Sequence, residues 1–283
     1  DHEIGEVLEN CDKILFNTIG QLNRFEGASR GKTRGLRVNP GVSTSEFDLA
    51  DPARPFSRLG EHDPKDIEKV TDQISGFMFH CNCENEDFDR FDAMLGTIEQ
   101  RFGHLIRQME WISLGGGIHF TGKDYPLDRL AERLKRFSGE NGVQVYLEPG
   151  EAAITKAATL EVTVLDTLNN GKDLAIVDSS IEAHMLDLLI YRETAKIAPN
   201  KGPHEWMVCG KSCLAGDIFG EFRFAEPLKP GDRLSFQDAA GYTMVKKNWF
   251  NGVRMPAIAV KELDGSERLV RDFGYDDFVA ALS

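Results

Sequence analysis

Phe77-Met-Phe-His-Cys-Asn82, Trp111-Ile-Ser-Leu-Gly-Gly-Gly117 and Val143-Gln-Val-Tyr-Leu-Glu-Pro-Gly150 share one pattern. Each is a short apolar run that delivers the chain into a histidine, a glycine triplet or a carboxylate. Short apolar runs closed by glycine, proline or asparagine read as buried strands. Polar groups just beyond the carboxyl ends of successive strands mark a site on a parallel α/β barrel.

Working outward, strands are predicted over 13–17, 35–39, 75–81, 110–114 and 143–147, and helices over 19–25, 64–74, 87–107 and 126–137. In the last helix Leu127, Leu130, Leu134 and Phe137 recur on one face. Strands alternating with amphipathic helices make five βα units, either an open doubly wound sheet or part of an eight-stranded barrel, and the internal-sounding start of the chain favours the barrel. At roughly 30 residues per unit, the three units missing from an eight-unit barrel would need about 90 residues upstream. The opening Asp1-His-Glu-Ile-Gly-Glu has no initiator methionine and reads as the interior of a longer protein.

After Gly150 the texture changes to β-rich segments over 157–168, 174–177, 205–209, 233–237, 241–244 and 255–261. Turns such as Asn169-Asn-Gly-Lys172 and Lys229-Pro-Gly-Asp232 separate them. The expected fold is therefore α/β plus β. Residues 1–150 form a partial (β/α)8 barrel with about five of its eight units, and residues 151–283 form a mostly antiparallel β domain.

Composition narrows the function. The chain has 283 residues, 41% of them hydrophobic, which is ample for a buried core. A net charge of −13 argues against nucleic-acid partners and anionic membranes, and it suits a cationic substrate. The five cysteines form no even-numbered framework, and no stretch resembles a signal peptide or a membrane span. A reducing cytoplasmic setting is expected.

The candidate groups each admit two readings. Gly115, Gly116 and Gly117 follow a strand and precede a helix, so their N–H groups can face a phosphate, or they form a simple flexible loop. Glu148, before Pro149 and Gly150, is a carboxylate that would be costly to bury without a partner, or a solvated strand end. His80 is a ring that can stack on a planar cofactor, or a structural histidine. A metal site joining His80, Cys81 and Cys83 to Cys209 and Cys213 lacks paired Cys-x-x-Cys spacing, so no metal is expected. In Cys209-Gly-Lys-Ser-Cys-Leu-Ala-Gly-Asp217, a thiol can donate a proton to carbon and a carboxylate can hold an ammonium. Two cysteines near a turn are, read alone, more often structural than catalytic.

In order, the histidine strand end, the triple glycine, Glu-Pro-Gly, the cysteine loop ending in Asp and Ala240-Gly-Tyr242 resemble the pyridoxal phosphate (PLP)-dependent decarboxylases of the alanine-racemase fold type, which include ornithine and diaminopimelate decarboxylases. The resemblance implies PLP as cofactor. Gly115, Gly116, Gly117 and Tyr242 would hold its phosphate, with Gly150 nearby, while His80 stacks on its ring and Glu148 meets its pyridine nitrogen. It also implies a homodimer with shared active sites, in which Cys213 is the proton donor reaching the neighbouring subunit and Asp217 lies beside the substrate amine. No lysine sits at a matching strand end, and Lys13 precedes its strand, so the Schiff-base lysine is expected outside this sequence.

Departures from the diaminopimelate branch concern charge. Glu151 stands where that branch has arginine after Glu-Pro-Gly, and Asp187, within Asp178-Ser-Ser-Ile-Glu-Ala-His-Met-Leu-Asp187, corresponds to a second basic position. Anions in place of cations favour a substrate with a distal ammonium. The implied reaction removes the α-carboxylate of a polyamine-like cation such as carboxynorspermidine or carboxyspermidine. Other readings are a decarboxylase of another basic amino acid or of diaminopimelate, and a catalytically dead paralogue that binds regulatory partners.

Overall fold

The computed structural model describes residues 2–45 and 47–282. The chain divides into two compact units, residues 1–153 and 154–283.

The first unit contains α1 (Ile4–Glu9), β1 (Lys13–Phe16), α2 (Ile19–Arg24), β2 (Thr33–Arg37), α3 (Pro64–Glu68), β3 (Gly76–Met78), α4 (Phe88–Ile106), β4 (Trp111–Ser113), α5 (Leu127–Asn141), β5 (Gln144–Tyr146) and α6 (Glu151–Ile154). Its five strands pair in parallel in the order β1-β2-β3-β4-β5. The sheet is curled. In a flat sheet β1 and β5 would lie roughly 19 Å apart, yet Lys13 Nζ on β1 donates to Tyr146 Oη on β5 at 2.7 Å. Side chains from outer strands that meet across the concave face describe the wall of a barrel.

Trp111 fills that concave face, only 4% exposed. A Cβ on Gly76 would fall inside its indole, and one on Gly35 would meet the same ring. Two neighbouring strands lack side chains there because the third strand's indole occupies their space. On the convex face α4 buries Phe91, Leu95, Ile98 and Phe102 at helical spacing. Phe79 packs on Phe102 with ring centroids 5.6 Å apart. Asp87 caps α4 by accepting from the N–H groups of Asp89 (2.8 Å) and Arg90 (3.3 Å), and Gly142 ends α5 in the left-handed conformation.

The predicted helix over 64–74 is shorter than its apolar pattern suggests. It stops at Glu68 and continues as a 3-10 turn over Thr71–Gln73.

The second unit contains β6 (Leu160–Asn169), β7 (Asp173–Val177), α7 (Ile181–His184), α8 (Leu186–Tyr191), β8 (His204–Cys209), β9 (Ile218–Phe224), β10 (Arg233–Phe236), α9 (Tyr242–Lys246), β11 (Ile258–Lys261), β12 (Glu267–Arg271) and α10 (Tyr275–Leu282). Its main sheet has the order β10-β6-β7-β8-β9, antiparallel except for the β7–β8 pair. Phe219, Phe222 and Phe236 form its core, with Phe219 and Phe236 stacked at 4.6 Å. The strand expected over 241–244 is instead the helical turn α9. Gly241 takes a positive φ of 54°, and the Val245 N–H returns to its carbonyl at 3.0 Å, so a reversal of backbone direction overrides the β propensity of Tyr242 and Thr243.

Candidate active site

The strand register builds the first part of the site. Met78 lies beside Ser113 and Ser113 beside Tyr146, so the chain two residues further on places His80, Gly115 and Glu148 side by side. Hydrogen bonds continue past the last paired residues: Phe79 N–H to Ser113 carbonyl at 2.8 Å, Leu114 to Tyr146 at 3.0 Å and Glu148 to Gly115 at 2.9 Å. Three sequence-predicted groups thus converge at one carboxyl edge.

The glycine triplet is close-packed, which corrects its reading as a flexible loop. A Cβ on Gly116 would overlap the Glu148 carbonyl, and one on Gly117 would overlap the Asn82 carbonyl. Only bare backbone lets the loop after β4 pass between the loops after β3 and β5. Gly150 carries no such demand, since a Cβ there would meet nothing within 4 Å.

Gly116 N–H donates to His80 Nδ1 at 3.3 Å, which leaves Nε2 as the protonated nitrogen of a neutral ring. Burial pushes the His80 pKa down, the Arg37 charge adds to that, and Glu148 opposes it. His80 is therefore neutral at pH 7.

Glu148 is an exposed residue just beyond the strand end. It nonetheless has a fixed partner. Ser113, 2% exposed, donates its hydroxyl to Glu148 Oε1 at 2.5 Å and accepts from Gly115 N–H at 3.2 Å. The sequence reading missed Ser113, although its place as the last residue of β4 was the available signal. Lys13 heads β1, with its ammonium 4.3 Å from the Tyr146 ring centroid and 5.1 Å from that of Trp111. It sits at the opposite strand end from the convergent groups. Glu151 opens α6.

The second unit carries the remaining candidates. The loop between β8 and β9 holds Cys213 exposed at its tip and Asp217 buried at its base, 3% exposed. Asp217 was expected beside a substrate amine. Its carboxylate instead accepts backbone N–H groups on both oxygens, from Ile181 at 2.7 Å and from Ser212 at 3.0 Å, while its carbonyl accepts from Gly210 at 2.8 Å. A buried carboxylate that accepts an amide on each oxygen shapes the loop.

Asp187 was expected to present a free anion. It is paired with Lys246 at 2.5 Å, and that ammonium also lies 4.5 Å from the Tyr242 ring centroid. The charge is thus neutralised within its own unit. Tyr242, first residue of α9, is 55% exposed. Asn251, absent from the sequence reading, donates its side-chain amide to Cys213 Sγ at 3.4 Å. Among the described residues, no three potential metal ligands converge.

Comparison with known proteins finds relatives along nearly the whole chain. The sequence matches the family described as pyridoxal-dependent decarboxylase, C-terminal sheet domain, over residues 15–240. It is 62% identical to a carboxynorspermidine/carboxyspermidine decarboxylase of Herminiimonas arsenicoxydans, over all of this chain and 78% of that protein. It is 37% identical to the corresponding enzyme of Campylobacter jejuni, over 98% of this chain and 76% of that one. The crystal structure of Campylobacter jejuni carboxynorspermidine decarboxylase complexed with norspermidine superposes with a TM-score of 0.90 at 36% identity, covering 99% of this chain and 78% of that one. The chain belongs to the pyridoxal-dependent decarboxylases, within the group of carboxynorspermidine/carboxyspermidine decarboxylases.

Proposed function

We propose that this protein decarboxylates carboxynorspermidine or carboxyspermidine in polyamine synthesis, with PLP as cofactor. The observation that carries the reading is the alignment of His80, Gly115 and Glu148 at one edge of a parallel sheet, in a chain 62% identical throughout to an enzyme of that name. The five βα units are read as part of an eight-unit barrel. The first unit is the cofactor-binding part, and the second supplies the Cys213 loop.

The residues fit the cofactor. Gly116 and Gly117 keep side chains off this part of the carboxyl edge, which leaves room for a phosphate, while the N–H groups of Gly115 and Gly116 are engaged by Ser113 and His80. A neutral His80 ring stacks on a flat heterocycle without bringing a charge. Glu148, steadied by the Ser113 hydroxyl, would accept from a pyridinium N–H. When bound, PLP supplies an electron sink for the bond pair released as carbon dioxide departs. Cys213 then delivers its proton to the α-carbon.

Substrate charge is read by the carboxylates of Glu151, at the start of α6, and Asp187, which pairs with Lys246. The distal ammonium of the polyamine is their target. The site is shared across a homodimer, each Cys213 serving the neighbouring subunit. Among the described residues no helix is long and apolar enough to cross a membrane, and the cytoplasm is the proposed setting. The deciding experiment follows carbon dioxide release by the intact protein, with PLP, from carboxynorspermidine and diaminopimelate. Preferential turnover of carboxynorspermidine is expected. Equal or greater turnover of diaminopimelate would overturn the substrate assignment.

A further inference from the structure

We infer that Asn251 is the positioning residue that aims the Cys213 thiol during proton transfer; this rests on the reading of Cys213 as proton donor.

The turn that carries Asn251 is locally specified. Phe250-Asn-Gly-Val253 closes with the Val253 N–H on the Phe250 carbonyl at 3.1 Å, and its central residues take φ of 58° and 67°. Positive φ at both positions is the type I′ requirement that Asn-Gly meets. Among side chains other than glycine, asparagine tolerates this backbone well, and here it turns its amide onto a sulfur: Nδ2 to Cys213 Sγ is 3.4 Å.

The turn and the cysteine loop hang from the same short element. Asn248, three residues before Asn251, donates its backbone N–H to the Ala183 carbonyl at 2.8 Å and its side-chain amide to the Glu182 carbonyl at 3.0 Å. On the other side of α7 the Ile181 N–H holds Asp217, and the Ser179 carbonyl accepts from Lys211 N–H at 2.9 Å. Asn251 and Cys213 are 38 residues apart in sequence. Both are fixed to Ile181-Glu-Ala-His184, so the amide-to-sulfur contact is set by a rigid bracket rather than by two independent loops.

The contact favours one direction of proton flow. With one sulfur lone pair occupied by an amide N–H, the thiol hydrogen is confined to the remaining directions. When the proton passes from Sγ to the α-carbon, the S–H bond breaks and the C–H bond forms. The sulfur keeps the electron pair and the negative charge until water reprotonates it. A neutral N–H···S contact then becomes a charge-assisted one, stronger after transfer than before, which is the differential stabilisation that accelerates a step.

Asn251→Gly separates this role from a structural one, because glycine accepts the same positive φ and keeps the turn while deleting the donor. In the holoenzyme this variant should lose about tenfold in kcat with unchanged KM, an unaltered or raised melting temperature and a larger solvent deuterium isotope effect. Asn251→Asp, which also suits the turn but offers no donor, should lose at least as much. In a Cys213→Ala background Asn251→Gly should cost nothing further. If Cys213→Ala keeps wild-type kcat, the proton-donor reading fails and takes this inference with it. If Cys213→Ala is impaired while Asn251→Gly is not, or if Asn251→Gly costs the same in both backgrounds, the inference alone is overturned.

Discussion

His184 shows how one residue ties the second unit to pH. It is 3% exposed, its Nδ1 shares a 2.8 Å hydrogen bond with the Ser179 hydroxyl, and burial pushes its pKa down from 6.5 to about 4. The unfolded chain takes up a proton near pH 6.5 that the folded chain refuses until about pH 4, so stability is full above that window and falls within it as the pH drops. The loss should reach about 3 kcal/mol. Urea unfolding at pH 7 and pH 4.5 for wild type and His184→Gln checks it, the expected result being a smaller pH-dependent drop in the variant. Ser113 makes a second residue-level case. Ser113→Ala removes the hydroxyl on Glu148 and should weaken PLP retention severalfold, about the worth of one hydrogen bond; the dissociation constant of the apoenzyme for PLP measures this. His80, Gly115 and Glu148 were legible in the sequence because position beyond a strand end depends only on where the apolar run stops. Ser113, Asn251 and the amide partners of Asp217 were not, since each depends on which distant segment lies alongside.

Elements repeat that division between local pattern and tertiary pairing. The helices α4 and α5 follow from periodicity and capping, whereas the union between them rests on Arg133, 5% exposed, which donates to Asp92 at 2.5 Å and also pairs with Glu99. Arg133→Ala should cost about 2 kcal/mol, read from chemical denaturation; a change within experimental error would reduce the network to a surface ornament. Gly76→Ala tests the sheet more sharply. The added methyl collides with Trp111, so a loss of about 3 kcal/mol or failure to fold is expected, and Trp111→Leu in the same chain should recover part of the loss. β9 escaped the sequence reading because Gly220 interrupts its alternation with a φ of 146°, close to the register shift at Val208 and Cys209. α9 was misread because β-branched and aromatic side chains cannot announce the glycine-driven reversal that precedes them.

At the scale of the whole molecule, the division into βα units followed by antiparallel strands was visible as a change of texture near residue 150, and the compact units part between Ala153 and Ile154. The proposed assembly makes its own prediction. Subunits bearing Cys213→Ala and subunits bearing Glu148→Ala should each keep only residual activity. Mixed at equal amounts, half the dimers are mixed and each keeps one intact site, so roughly a quarter of wild-type activity should return. Verified mixed dimers without activity would place both groups in one subunit's site. Of the three tryptophans, Trp111 lies in the first unit's concave face, while Trp206 and Trp249 belong to the second. The indole wedged over Gly35 and Gly76 is therefore also a built-in optical probe. With phenylalanine at 206 and 249, its emission would report the first unit alone, and comparison with circular dichroism would reveal whether the two halves melt together or in turn.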